Sequence, residues 1–281
     1  MNDDVLLRVA LQAGYADKTV LRNVAFELRR GEVLGLVGTS GAGKSTLVQS
    51  LVGLLPWRGG RVTGEVILNG QNLLGLSERN LRKIRGREIA LIPQSPMTAL
   101  NAAISLQSHF NEAWKAHEKS GRAALQQRLQ ALLAEVQLPA DAEFLLRRPS
   151  QISVGQAQRV LIALALLHRP SLIIADEPTS ALDPVTQTQI VDLLRALNRQ
   201  HGVTLLYISH DLVSVLQLSD RIAVLDAGMI AETMPVTAID HARHPATLAL
   251  LNALPVPPDV LLSYRKYLIP GPSEAELSIC Q

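Results

Sequence analysis

Cysteine is all but missing from this sequence, aromatic rings are scarce, and no long apolar run occurs. The single cysteine, Cys280, excludes an internal disulfide and suits a reducing compartment. The longest uninterrupted apolar stretch, Val160–Leu167, is far below the ~20 residues a bilayer-spanning helix needs, so any membrane role requires a partner that crosses. Met1-Asn2-Asp3-Asp4 is acidic and lacks the basic start and apolar run of a secretion signal. Neither charge sign dominates: 27 basic and 25 acidic residues leave a net charge of +2. So even a balance gives no general electrostatic reason to bind nucleic acid. What is plentiful is hydrophobic content, 47% of 281 residues. That suffices for one large domain, or for a domain with a smaller subdomain and a tail.

The pattern along the chain is α/β. Val5, Leu7, Val9 and Leu11 alternate as in a strand, as do Val24, Phe26 and Leu28. The segments 32–37, 65–68, 89–92, 172–175, 203–209 and 222–225 read as further strands. Helices are expected over 44–54 and 184–198, the latter opened by Asp183-Pro184. Asn69-Gly70 marks a hairpin. Between 97 and 150 glycine nearly vanishes and Ala, Leu, Gln and Glu dominate, the texture of an inserted helical segment. Strands alternating with helices imply a mostly parallel sheet covered on both faces. The boundaries drawn are 1–96 and 159–235 for the two parts of a core, 97–158 for a helical subdomain, and 236–281 for a Pro-rich, weakly patterned extension.

Gly38-Thr39-Ser40-Gly41-Ala42-Gly43-Lys44-Ser45-Thr46 fits the phosphate-loop pattern G-x-x-x-x-G-K-[ST] between a strand and a helix. Its glycines let backbone N–H groups turn toward phosphate oxygens. The helix N-terminus adds donors and a favourable dipole. Lys44 neutralises the β- and γ-phosphates, and the Ser45 hydroxyl ligates Mg²⁺. Chance would give the pattern in such a chain about 1% of the time. The apolar strand Leu172–Ala175 ends in Asp176-Glu177, at the sheet edge where ligands bind. Asp176 is expected to hold Mg²⁺. Glu177 is expected to polarise the attacking water as general base.

These elements together resemble the ATP-binding cassette (ABC) ATPase family over nearly all of residues 4–255. The resemblance implies a P-loop NTPase core with a mostly parallel sheet, an antiparallel β subdomain and an inserted helical subdomain. It implies ATP and Mg²⁺ as cofactors. Gln94, in Ile92-Pro93-Gln94-Ser95, matches the glutamine that touches Mg²⁺ and the attacking water. Ile152-Ser153-Val154-Gly155-Gln156 resembles the LSGGQ signature, so Ser153, Gly155 and Gln156 are expected at the triphosphate held by a second subunit. Ser180-Ala181-Leu182-Asp183 matches the D-loop, and His210 the switch histidine. Tyr15 stands where an aromatic often stacks on adenine. Two subunits would close head-to-tail around two ATP molecules, with hydrolysis separating them. Val154 departs from the family's first signature glycine. A β-branched residue does not readily take positive φ, so a non-identical ATPase partner with two unequal sites is expected.

Two segments resemble the peptide/nickel importer branch: Pro93–Asn101, against Q-x-P-M-T-S-L-N-P, and His244–Leu251, against H-P-Y-T-x-x-L-L. Ala102 and Ala246 depart from that branch, and its frequent cysteine cluster is missing, so no Fe–S or zinc site is expected. The implied partners are two membrane permeases, a second ATPase and an extracytoplasmic binding protein, with this chain on the cytoplasmic membrane face. A GTPase would need N-K-x-D, and a DNA-repair ATPase a long coiled coil; the sequence has neither. A soluble ABC ATPase in an assembly process such as Fe–S cluster biogenesis is the remaining alternative. His241 and His244 lack further metal-ligand neighbours. The basic run Arg82–Arg87 reads as a solvated face.

Overall fold

The computed structural model describes residues 4–254 and residue 258. The expectations placed on Met1–Asp3, Pro255 and Cys280 lie outside the described residues.

Two sheets organise the chain. Strands β1 (Val5–Tyr15), β2 (Lys18–Arg29), β4 (Gly60–Leu68) and β5 (Gln71–Asn72) form an antiparallel sheet in the order β2-β1-β4-β5. Strands β3 (Val33–Val37), β6 (Ile89–Ile92), β7 (Leu172–Asp176), β8 (Thr204–Ser209), β9 (Arg221–Asp226) and β10 (Met229–Pro235) form a second sheet, β10-β9-β3-β8-β7-β6. All its pairings are parallel except β9 with β10. The expected mostly parallel core and antiparallel β unit are therefore both present.

The parallel strands are apolar throughout because both faces are covered. Their period of two sends alternate residues to two different cores. Val33, Val37, Ile173, Ala175, Leu205 and Tyr207 join one. Leu34, Leu36, Leu172, Ile174, Leu206 and Ile208 join the other. The first core packs against α4 (Leu106–His117), α5 (Arg122–Glu135), α6 (Ala142–Leu146), α7 (Val154–Leu166) and α8 (Pro184–His201). The second packs against α1 (Lys44–Leu51) and the antiparallel sheet. Burying each Leu, Ile or Val contributes about 1.5–3 kcal/mol before entropy is counted. The sheet is thus held from both sides by aliphatic side chains.

The segment 96–146 holds helices joined by loops and no strand, as expected, beginning with the short α3 (Pro96–Ala99). The helix expected over 44–54 stops at Leu51. Gly53 takes φ 66° and Pro56 sits in the 3-10 turn Leu55–Arg58, so neither continues the helix. Among the elements that did not stand out in the sequence are strand β10, α2 (Glu78–Ile84), α9 (Leu212–Leu218) and α10 (Pro245–Asn252). The last lies inside the segment read as weakly patterned. His244 caps it by accepting from the Ala246 N–H, and the Glu232 carboxylate accepts the N–H groups of Arg243 and His244. Among the described residues no helix is long and apolar enough to cross a membrane.

Candidate nucleotide site

The site lies where the parallel strands end. β3 runs into the loop 38–43 and then into α1. Gly43, the residue before α1, has φ 109°, and a Cβ there would sit 2.6 Å from Leu21 Cδ2. Glycine is required on both counts. No side chain caps α1, so its first-turn N–H groups remain available at the loop. A Cβ on Gly38 would meet the Leu225 carbonyl at 2.4 Å, which fixes the loop tightly against β9. Ser40 and Gly41 on the loop and Ser45 in the first turn of α1 are exposed, whereas Ala42 and Thr46 are buried.

Lys44 is buried, with 7% of its side chain exposed. Its ammonium donates to the carbonyl oxygens of Gly38 at 2.8 Å and Thr39 at 3.2 Å. It also lies 3.5 Å from Glu177 Oε1. A buried lysine needs such partners to remain charged.

Glu177 is the meeting point. Its Oε2 accepts from Gln94 Nε2 at 3.1 Å and lies 3.1 Å from His210 Nδ1. Three groups, from the start of α1 and from just after β6 and β8, thereby converge on the one carboxylate that follows β7. Glu177 itself has φ 48°, an uncommon left-handed conformation for a non-glycine residue, and its N–H donates to the Ile208 carbonyl at 2.8 Å. Such backbone strain clusters at functional sites. Adjacent Asp176 is largely buried. Burial, and then the neighbouring Glu177 charge, push its pKa up to about 6, against the opposing pull of Lys44. That is a carboxylate whose charge a cation would offset.

Among the described residues no group of three or more His, Cys, Asp or Glu could hold a metal ion by itself. One carboxylate and one hydroxyl, Asp176 and Ser45, instead suit Mg²⁺, which keeps waters and binds jointly with substrate phosphates. The donor set therefore fits that ion.

The other expected residues sit elsewhere. Tyr15 ends β1, half-buried, with its hydroxyl 3.3 Å from Gln49 Oε1 on α1. Ser153 caps α7: its Oγ accepts from the Gln156 N–H at 3.2 Å, and Gln156 Oε1 accepts from the Ser153 N–H at 3.0 Å. This reciprocal box satisfies two end groups of the helix. It leaves the Ser153 hydroxyl proton free to donate. Neither side chain bonds to the Glu177 cluster. A Cβ on Gly155 would meet Thr186 Cγ2 at 2.8 Å, so glycine there lets α7 approach the start of α8.

Val154 corrects an expectation. It opens α7 and is not among the residues with positive φ. Valine therefore imposes no backbone strain at this position; what it adds is an exposed isopropyl group. Sequence reasoning also passed over three supporting groups. The Thr39 carbonyl holds Lys44, Gln49 holds Tyr15, and Thr186 abuts Gly155. Thr39 falls at a free position of the phosphate-loop pattern and the other two outside any pattern, because a backbone carbonyl or a packing methyl leaves no compositional trace.

A family model described as ABC transporter matches residues 21–180. The dipeptide transport ATP-binding protein DppD of Escherichia coli (strain K12) is 42% identical over 233 residues, covering 83% of this chain and 71% of that protein. The oligopeptide transport ATP-binding protein OppD of Bacillus subtilis (strain 168) is 38% identical over 251 residues, covering 89% of this chain and 70% of its own length. The peptidoglycan transport ATP-binding protein YejF of Agrobacterium fabrum is 41% identical, but the chain spans only 46% of its length. Among solved structures, a dimeric ATP-binding cassette in a post-hydrolysis state with ADP and phosphate bound is 27% identical. Its TM-score is 0.70, over 83% of this chain and 98% of that one. With this match added to a phosphate loop and a glutamine, a lysine and a histidine gathered on Glu177, the chain belongs to the ABC transporter family, among its ATP-binding and ATP-hydrolysing members.

Proposed function

We propose that this chain powers the import of peptides by an ABC transporter, hydrolysing ATP at Glu177. The observation that carries the catalytic part is the convergence of Lys44, Gln94 and His210 on that carboxylate. The cargo class is supported by the relatives, whose names specify dipeptides, oligopeptides and peptidoglycan. Those names favour peptides over nickel complexes.

Bound Mg²⁺ would supply charge neutralisation on the phosphates, held by Asp176 and Ser45. The chain's own groups do the rest. The loop N–H groups of 41–46 and the Lys44 ammonium take up the negative charge of the triphosphate. Gln94 and His210 hold the Glu177 carboxylate between them. Glu177 orients a water and accepts its proton, an effect worth ~10²–10⁴ in rate. Tyr15, at the end of β1, presents a ring for the adenine. Ser153, Gly155 and Gln156, at the start of α7, face the triphosphate held by a second ATPase subunit. That subunit is a non-identical paralogue. The remaining partners are two permeases and an extracytoplasmic binding protein, which place this chain at the cytoplasmic membrane face. Segment 97–158 carries motion to the permeases.

Glu177→Gln tests the catalytic assignment. The variant should bind Mg-ATP as the wild type does and lose roughly 10²–10⁴-fold in turnover, measured by phosphate release. Normal turnover would refute the assignment. Lys44→Ala should weaken Mg-ATP binding in calorimetry. Cargo is tested by reconstituting the chain with its permeases in liposomes and following ATP-dependent uptake of a labelled dipeptide. Uptake of nickel but no peptide would overturn the reading.

A further inference from the structure

A cavity of about 600 Å³ lies at the opposite edge of the parallel sheet from the nucleotide loop. It is lined by the residues just before β7 and β8, Ser171 and Val203, and by α5. β7 runs from Leu172 to Asp176, so about 15 Å of strand separates this edge from the carboxylates. Nucleotide sites in such folds use the carboxyl ends of the strands. This cavity is at the amino ends.

Its walls carry more positive than negative charge. Arg128 of α5 is half-buried and spends Nε and Nη2 on the carbonyl oxygens of Leu167 and Leu166, at 3.2 and 2.7 Å. Its Nη1 makes no hydrogen bond among the described residues. Arg169 lines the same cavity from the turn between α7 and β7. Burial, and then the charge of Arg169, hold the Arg128 pKa below its ordinary value against the opposing pull of Glu135. Glu135, the one carboxylate among the cavity's described lining residues, lies 3.2 Å from His201 Nε2 and is within ion-pair distance of neither arginine. Both guanidinium groups line one cavity and neither is ion-paired among the described residues, although the Glu135 charge acts on Arg128 within it. Guanidinium forks bind phosphate and carboxylate oxygens in pairs.

We propose that this cavity binds a small polyvalent anion between Arg128 and Arg169, tying α5 of the inserted helices to the amino edge of the sheet. The ligand presents phosphate or carboxylate oxygens, and pyrophosphate and citrate are the probes that separate the two. Hydrogen exchange on the intact, metal-free protein reads the site directly. Added anion should slow exchange across 128–135 and 166–171. Arg169→Gln should raise the anion concentration needed at least tenfold, while Arg169→Lys should retain part of the binding. Lys44→Ala should leave this protection intact, which separates it from any anion held in the nucleotide loop. Its own loss of ATP affinity reports on the nucleotide assignment independently. Protection by either probe sustains the proposal and names the chemistry. No protection by either at millimolar concentration, or equal protection in Arg169→Gln, overturns it.

Discussion

Two neighbouring residues at the start of α7 carry opposite packing constraints. Gly155 has no room: its missing Cβ would fall 2.8 Å from Thr186 Cγ2. Val154 has room to spare, half-turned to solvent at 38% exposure. Gly155→Ala should therefore push α7 away from α8 or displace Thr186, an overpacking cost of about 1–3 kcal/mol. Thr186 Oγ1 donates to Asp183 Oδ2 at 2.6 Å, so displacement also disturbs the cap of α8. A fall in Tm of several degrees for Gly155→Ala, with recovery in the double variant Gly155→Ala/Thr186→Ser, would show that the threonine methyl is the obstacle. Without that recovery the close-approach argument fails. The sequence displayed both residues plainly, but it suggested a constraint at Val154 that the structure does not impose and was silent on the packing limit at Gly155. Spacing located the signature; only the three-dimensional approach of Thr186 reveals which of its positions must be small.

Larger elements show where sequence patterning succeeds. β3, β7 and β8 were legible because strands buried on both faces are continuous apolar runs. α9 and α10 were not. α9 has only seven residues, and α10 is mostly partly exposed, so neither displays a long periodic face. The glutamine, carboxylate and histidine of the site were legible for a related reason. Each closes a parallel strand, and parallel strands deliver their ends to one edge. The histidine cluster beneath α4 left no such trace. His117, the last residue of α4, meets the His168 ring edge-on at 5.0 Å, and His168 stacks on Trp114 at 5.6 Å. A Cβ on Gly86 would lie 3.2 Å from His117 Nε2. Burial, then His168, hold the His117 pKa below 6.5, with Arg87 acting in the same sense and Glu118 and an Arg85 backbone bond against it. The unfolded chain therefore binds the proton more readily than the fold does. The stability this contributes is present above pH 6.5 and is lost as pH falls through the folded value. His117→Gln should flatten the fall in Tm between about pH 7 and pH 5 relative to wild type. Parallel Tm curves for the two proteins would show that His117 does not set this dependence.

For the molecule as a whole, the decisive surface is the one a second ATPase would cover. The Glu177 cluster is assembled within one chain, yet Ser153 and Gln156 bond to each other and stand apart from it. Under the proposed function their target is a triphosphate on another subunit, approached by the N–H groups at the start of α7. An exposed isopropyl group at the first position of that helix would stand in the way of such an approach, although it leaves the backbone unstrained. In a dimer of two identical chains both composite sites would carry this obstruction. With a paralogue that has glycine at the matching position, only one would. The Glu177→Gln chain alone, saturated with Mg-ATP, should accordingly remain mostly monomeric in light scattering. It should dimerise when the second ATPase of the transporter is added. Val154→Gly in the same background should shift the chain alone toward a dimer, because the obstruction is removed from both sites at once. A helix-start glycine costs no more than about 1 kcal/mol of stability, so unfolding should not mask the result. If the valine and glycine versions dimerise equally, the side chain at 154 does not govern pairing, and the case for unequal partners loses its physical basis.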